Sequence, residues 1–513
     1  MRERDLNSIP QEMFQLANRT DVHDKKLDTK IVGYFEDAWN RFKKNKSSVV
    51  AAYIILFLVI YAIIGPFFCN KGYQQAYATD NTIMRYQYLT PKLPFMEGTG
   101  IWDGTSVLVV SENRYYRLLG QEIETGNNVV VDVINKIERF GASKGSVSYK
   151  VRIDNYASLN AFLVTLTDDM YKKLQDFQLE TGMQIILPQT NVNVIGGDNN
   201  IWYLCDEKGN PVFDGNGNFI SDYSTTGNDD YYSLRLENDP YNSGDRETHW
   251  RYAQRTGTPG NYNYVVRVNA YKYFQYRYGF EPSFIFGTDS SGYDIFSRLA
   301  YGARFSFVLA ILVSAVNLTI GTIYGAISGY YGGTIDIIME RITDILSGIP
   351  FMVVTVLFQL HLSGKVGAIP SLIYAFVLTG WIGMSSRVRM QFYRFKNQEY
   401  VLAARTLGAN DWSIMFKHIF PNSLGTIITG SILVIPGVIF SETSLTYLGI
   451  INLDSPTMSS IGSMLANGQS VMSSHPHVIF FPALFIALLE ISFNLFGNGL
   501  RDAFNPSLRG TED

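Results

Sequence analysis

EYVLAARTLGANDWSIMFKHIFP, residues 399–421, has the composition of a short helix, a turn and a second short helix, and it lies between two long apolar windows. Helix-forming residues run from Glu399 to Leu407. Gly408 suits the left-handed conformation that closes a helix. Asn410 or Asp411 can cap the next helix, which is expected to end before Pro421, because the residue ahead of a proline disfavours the helical region. Ala404 lies one turn before Gly408, so the first helix is expected to present a flat, small-residue patch that lets another backbone come close. Spacing alone also allows an ordinary amphipathic connector packed on a membrane face.

The apolar windows dominate what surrounds this stretch. No charged residue occurs between Lys46 and Lys71, between Arg304 and Asp336, between Asp344 and Lys365, or between Lys365 and Arg387. Two further windows follow His418 and Pro476, each with a single acid, Glu442 and Glu490. A spanning helix needs about 20 apolar residues for a ~30 Å hydrocarbon core, and each window is long enough. The whole-chain mean hydropathy of +0.02 conceals this mosaic. We therefore expect an all-α polytopic membrane protein with six transmembrane helices near 49–68, 305–327, 345–362, 367–386, 424–446 and 478–499. Cationic residues in the short flanking loops set the orientation. Arg41, Lys43, Lys44 and Lys46 precede span one, and the loop 387–423 carries Arg387, Arg389, Arg394, Lys396, Arg405 and Lys417. Loop 447–477 has no Lys or Arg. The cytoplasmic N-terminal segment is then 1–48, both termini and the loop 387–423 are cytoplasmic, and 70–285 and 447–477 lie outside. The first helix is expected to be an uncleaved anchor rather than a signal peptide.

The region 70–285 is polar and tyrosine-rich, an α+β extracytoplasmic insert between helices 1 and 2. Val129–Val133, Val147–Ile153, Ile185–Leu187 and Tyr264–Val268 have strand composition. Asp168 to Leu179 is expected to be a helix capped by Thr167 or Asp168 and stopped near Gly182. Asp214, Asn216 and Asn218 resemble the opening of a calcium loop, but Phe219 and Thr225 stand where an EF-hand needs Gly and a bidentate Glu, which leaves a hairpin turn. No metal site is expected.

Several function classes are excluded. A formal net charge of -4 gives no basic face for nucleic acid. Cys69 and Cys205 make no disulfide framework. No catalytic constellation appears, and there is no phosphate-cradling Gly-x-x-x-x-Gly-Lys-Ser/Thr run. No cofactor is expected on this chain, and any ATP hydrolysis, with its Mg, belongs on another polypeptide. Glu442 and Glu490, within or at the edge of spans, either line a pathway or make interhelix contacts, since acids at depth are costly. Arg341 and Asp344, three apart, are expected to pair. Pro350, Pro436 and Pro482 fall within spans and can bend them.

Residues 399–421 resemble the "EAA" coupling segment of ABC importer permeases, carried here by Ala403, Ala404, Gly408 and Pro421, with Leu402 where the family usually has Glu. The segment Phe286-Gly-Thr-Asp-Ser-Ser-Gly-Tyr-Asp294 resembles the corresponding segment of the C-type permease of dipeptide and oligopeptide systems, with Tyr293 replacing the usual Arg. Gly329-Tyr-Tyr-Gly-Gly, Asp344-Ile-Leu, Ser444-Leu-Thr-Tyr-Leu-Gly, Asn498-Gly-Leu-Arg-Asp502 and Gly100-Ile-Trp-Asp-Gly104 are similar too. The resemblance covers roughly 31–104 and 282–509, and the outer segment between is longer than the family's usual loop.

The resemblance implies a type I importer permease fold, with the permease core at 286–509. It implies a second homologous permease subunit, two ATP-binding-cassette ATPase subunits and an extracytoplasmic substrate-binding lipoprotein as partners, in the bacterial cell membrane, with a peptide as cargo. Tyr400, Ala403, Ala404, Arg405, Gly408, Asp411 and Pro421 would form the ATPase-coupling surface, with Arg405 and Lys417 available to acids on the ATPase. Other cargoes with the same architecture are nickel chelates, glycosides or other small solutes. A sensor or scaffold would call for a cytoplasmic signalling domain, and an independent channel would not need the coupling segment.

Overall fold

The computed structural model describes residues 34–68, 85–138, 147–159, 161–187, 253–258, 260–453 and 458–504. Cys69, Cys205 and the Asp214 turn lie outside the described residues. Among the described residues five helices are long and apolar enough to cross a membrane, and one bent pair passes the same test only when its two helices are taken together. In chain order the bundle comprises α1 (Tyr34–Lys44) and α2 (Lys46–Phe68). After the insert come α6 (Ile295–Tyr331), α7 (Gly333–Ser347), α8 (Phe351–Val366), α9 (Ala368–Gly380) and α10 (Ile382–Phe395). Then follow α11 (Glu399–Thr406), α12 (Asp411–Ser413), a π-helical turn (Ile414–Ile419), α13 (Phe420–Ile432), α14 (Val434–Tyr447), α15 (Ile461–Gln469) and α16 (His477–Phe504).

In place of the third span expected near 345–362, with Pro350 able to bend it, stands a bent pair that starts earlier, at Gly333. It is α7 and α8, bent by 72°. The bend falls at Gly348-Ile349-Pro350, where Pro350 is the N-cap of α8. The proline ring fixes its own backbone and keeps the preceding residue out of the helical region. Pro66 has a different outcome inside α2. It removes the donor that would serve the Ala62 carbonyl, and Arg304 Nε of α6 donates to that oxygen instead at 3.1 Å.

Hydrophobic burial does not hold spanning helices together in lipid, so close backbone approach and interhelical hydrogen bonds do more of the work. Gly321, Gly325 and Gly329 recur every fourth residue on one face of α6, against α10. A Cβ at Gly321 would stand 2.7 Å from the Trp381 carbonyl oxygen, one at Gly329 2.6 Å from that of Arg389, and one at Gly325 would overlap that of Ser385. The α2–α16 pair uses the same device: Ser48 Oγ donates to the Leu495 carbonyl at 3.0 Å, and a side chain at Gly499 would collide with Ser48.

The insert holds two antiparallel sheets. β1 (Thr105–Ser111), β3 (Val147–Asp154) and β2 (Val130–Glu138) form the first in that order, backed by α3 (Glu112–Thr125). In the second, β7 (Asn261–Val268) pairs with β4 (Phe162–Thr167), β5 (Ile186–Leu187) and β6 (Ala253–Thr258). It shares a core with α4 (Asp168–Thr181) and α5 (Ala270–Tyr278), in which Leu174, Ile185, Val266 and Phe274 are fully enclosed. The α4 boundaries follow the expected capping. Thr167 Oγ1 accepts from Met170 N, and Gly182 takes a left-handed φ of 67°.

The insert joins the bundle through the Phe286–Asp294 segment. Thr288 Oγ1 donates to the Tyr86 carbonyl at 2.5 Å and accepts from Leu89 N at 2.8 Å. Asp294 caps α6 by accepting from Phe296 N and Ser297 N. Tyr293, in the position of the usual Arg, lays its ring under the Arg298 guanidinium at 4.4 Å.

Candidate functional site: the 399–421 element

Residues 399–421 form a helix-turn-helix clamped to one end of the bundle. Val401, Ile414, Met415 and Ile419 are buried against Ala326 and Tyr330 of α6 and Val388 and Phe392 of α10. Gly408 has φ +83° and no atom near its would-be Cβ, so it makes the turn expected of it. Asn410 is the cap of the second helix, its side chain accepting from Ser413 N at 2.7 Å.

Two expectations are corrected. The second helix does not end before Pro421: the chain runs through a π turn into α13, with Pro421 in the first turn of α13. The wide turn accommodates a residue that has no N–H and whose ring would strike the preceding turn. Asn422 Nδ2 donates to the His418 carbonyl there at 2.8 Å. Nor does Ala404 present a patch to an outside backbone. It is buried, one turn on from Val401, because the helix uses that face to seat itself on the bundle.

The outward face is instead made by Leu402 at 46% exposed, Ala403, Leu407 at 87% and Trp412 at 58%, with Tyr400 and Gly408 beside them. This face is mostly uncharged. Of the charged neighbours, Arg405 and Asp411 are engaged within the chain, and Glu399 is exposed. Asp411 Oδ1 accepts from Tyr330 Oη at 2.6 Å and Oδ2 from Tyr331 Oη at 3.3 Å. Arg405 Nη2 donates to Tyr330 Oη at 3.2 Å, its guanidinium 5.7 Å from that ring. Lys417 is exposed. Burial pushes the Tyr400 phenol up from its ordinary value, with a hydrogen bond to Asn422 opposing.

Behind the element lies a bracing network. Asp336, buried at the start of α7, accepts from Arg389 Nε at 2.5 Å and Nη2 at 2.6 Å, from Tyr393 Oη at 2.8 Å, and from Ser328 Oγ. Lys396 Nζ donates to the Gly329 carbonyl at 3.0 Å, at the end of α6 where the helix dipole favours a cation. Burial pulls the Lys396 ammonium below its ordinary pKa, with Asp336 opposing. The sequence offered one signal for this network: Asp336 is the lone acid closing an uncharged window, and the opposite loop is rich in arginine. Arg341 and Asp344 pair at 2.9 Å, as expected.

Glu442 and Glu490 take no part in this element and lie on different helices. Glu442 on α14 is fully buried and accepts from Ser306 Oγ of α6 at 2.7 Å, an interhelix tie. Glu490 on α16 is half-buried, and its Oε1 has no hydrogen-bond partner among the described residues. Among the described residues no His, Cys, Asp and Glu group is arranged to hold a metal.

Residues 321–510 match the family described as binding-protein-dependent transport system inner membrane component, and residues 33–91 match the N-terminal TM domain of oligopeptide transport permease C. The dipeptide transport system permease protein DppC of Bacillus subtilis is 42% identical over 44% of this chain and 69% of its own length. The oligopeptide permease OppC of the same organism is 43% identical over 44% of this chain and 72% of its own. The glutathione transport system permease protein GsiD of Pectobacterium atrosepticum is 35% identical over 48% of this chain and 81% of its own. All three alignments leave more than half of this chain unmatched. This chain therefore belongs to the binding-protein-dependent transport system inner membrane component family, as a multi-pass permease subunit of an ABC transporter that works with ATPase and permease partners and is not itself an enzyme.

Proposed function

We propose that this chain is one half of the translocation path of a peptide importer. It pairs with a second homologous permease, rests on two ATPase subunits that carry the ATP and Mg, and receives cargo from an extracytoplasmic binding lipoprotein. The 399–421 element faces the cytoplasm with both termini, and the insert faces outward. One observation carries the reading: a braced helix-turn-helix, anchored on α6 and α10, offers an exposed apolar face of Leu402, Leu407 and Trp412 beside Arg405 and Asp411, which are engaged with Tyr330. Such a face suits a groove on an ATPase. Closure of the ATPase pair then moves α6 and α10 as rigid bodies, and access alternates. Exposed ion pairs contribute only about 0–1 kcal/mol each, so apolar shape carries the docking. Peptide cargo is supported by the names of the dipeptide, oligopeptide and glutathione permeases that the chain resembles.

The test is reconstitution of the four-subunit complex with its binding protein in vesicles. ATP-dependent uptake of labelled di- to pentapeptides is expected, and uptake without nucleotide, or nucleotide-dependent uptake of a non-peptide alone, would overturn the reading. Removing residues 110–280 while preserving insertion is expected to weaken binding-protein affinity and uptake; unchanged values for both would remove the insert from delivery.

A further inference from the structure

The insert carries a strained loop beside the lipid-facing wall of α16, with an apolar tip at Phe95 and Ile101 and one exposed acid, Glu97, that turns to Lys92 Nζ at 3.4 Å. Between Pro94 and Gly104 four residues have a left-handed φ: Gly98, Gly100, Gly104 and, unusually for a bulky side chain, Trp102 at 54°. A non-glycine residue persists there only when its surroundings impose it. Buried Asp103 does so, accepting from Gly100 N at 2.8 Å, Thr105 N at 3.0 Å and Thr105 Oγ1 at 2.8 Å. Trp102 Nε1 donates to the Ile285 carbonyl at 2.7 Å, and its ring lies 6.0 Å from that of Phe481 on α16. With Trp102 fastened, Phe95 is left 79% exposed and Ile101 64% exposed.

The depth of this loop follows from the α2–α16 pair. Ser48 and Leu495 share a level through their hydrogen bond. From Ser48, α2 rises ~30 Å to Phe68 at ~1.5 Å per residue, the full thickness of a hydrocarbon core. Phe481 stands ~21 Å from Leu495 along the antiparallel α16, level with Ala62 of α2, where the Arg304 guanidinium donates to the Ala62 and Ile63 carbonyls, as a long cation does where it reaches the membrane interface. Its neighbour Phe480 and, one turn on, Leu484 are exposed on the same helix, as lipid-facing residues are. Trp at such a level matches the interfacial aromatic belt of membrane proteins.

We propose that the loop from Pro94 to Gly104 is seated in the membrane: Phe95 and Ile101 enter the leaflet that meets the insert, at its headgroup–acyl boundary, with Trp102 as the fixed post between loop and bundle. The strain at Trp102 and the Asp103 brace serve to present two apolar side chains to lipid rather than fold them inward. The loop continues the lipid-facing wall of α16 onto the insert.

The experiment places a single cysteine at Phe95, Ile101 or Lys150 in a chain carrying Cys69→Ser and Cys205→Ser. Each variant is labelled with bimane and reconstituted in nanodiscs of phosphatidylcholine and phosphatidylglycerol. Lys150 is exposed on β3, about four residues and ~13 Å beyond Asp154. Phosphatidylcholine carrying a 5-doxyl group is expected to quench labels at 95 and 101 at least twofold more than the label at 150, and aqueous iodide to show the reverse order. Strong iodide quenching with no lipid quenching at 95 and 101 would overturn the proposal. So would silence toward both quenchers, which would mean that protein covers the loop. Gel filtration of each labelled variant checks that it is folded.

Discussion

Leu407 and Leu402, exposed on the 399–421 element, would make the proposed ATPase docking an apolar contact. If docking encloses Leu407, its burial is worth about 1.5–3 kcal/mol, or roughly 10- to 100-fold in affinity. Leu407→Asp is therefore expected to reduce recovery of the ATPase with the purified permease by at least tenfold, whereas Arg405→Gln, whose guanidinium is already committed to Tyr330, changes it less than threefold. Quantitative pull-down from membranes measures both, and a larger effect of Arg405→Gln would return the docking to charge. Gly408 separates backbone from surface. Asn tolerates a left-handed φ well, so Gly408→Asn is expected to keep ATP-driven uptake. Gly408→Trp, which adds bulk on the exposed turn, is expected to leave insertion intact while ATP hydrolysis proceeds without uptake. Normal uptake by a correctly inserted Gly408→Trp protein would reject the coupling role.

At the scale of elements, the 399–421 element is seated on α6 and α10, whose seam would carry its motion into the bundle under the proposed coupling. It has no room for side chains where Gly321, Gly325 and Gly329 meet carbonyl oxygens of α10. Overpacking typically costs about 1–3 kcal/mol, and the atom met at Gly325 is backbone, which cannot rotate aside. Gly325→Leu is expected to abolish recovery of monodisperse protein, and Gly325→Ala to lower its thermal midpoint in detergent. The Asp336–Arg389 pair braces the same end. Removing one member of a buried pair is costly because the other is left unpaired; here the member left buried and unpaired is Asp336, since Arg389 is part-exposed and also has Glu340 at 3.5 Å. Arg389→Ala is thus expected to destabilise, and the double variant with Asp336→Ala to destabilise by less than the sum of the two single changes, a non-additivity that a double-mutant cycle of thermal midpoints detects. Strict additivity would mean that the two act independently.

On the scale of the whole molecule, two bodies with their own cores share one chain. The insert cores around Leu174 and Val266 and around Val151 are distinct from the bundle core around Leu299 and Phe485. Their junction includes Thr288 with Tyr86 and Leu89, Trp102 with Phe481, and the stacked ring pairs Phe286–Phe481 at 4.0 Å and Tyr88–His475 at 4.3 Å. The bundle is therefore expected to insert and bind its ATPase with residues 110–280 removed, since that cut keeps all of these junction residues. Loss of insertion on deletion would show that the insert is a structural part of the bundle.

The spans were legible because lipid demands about 20 uncharged residues in a row, a requirement local to each segment and visible in the windows around Tyr53, Val308 and Phe485. Gly408, Asn410, Thr167 and Gly182 were legible for a similar reason, because capping is a contact between residues near in sequence. The ordered motifs carried the family in the same way, residue by residue. What required the tertiary structure were choices among faces and partners far apart in the chain. Nothing local says that Ala404 turns inward and Leu407 outward. That follows from where α6 and α10 pass, as do the pairing of Asp336 with Arg389 and the engagement of Arg405 and Asp411 by Tyr330. Pro421 followed the same logic: proline chemistry alone ends a helix, but the continuous packing of Ile414, Met415 and Ile419 against the bundle favours a π turn that carries the helix through. Sequence period and capping report the backbone, whereas a side chain's role depends on neighbours that only the folded chain assembles.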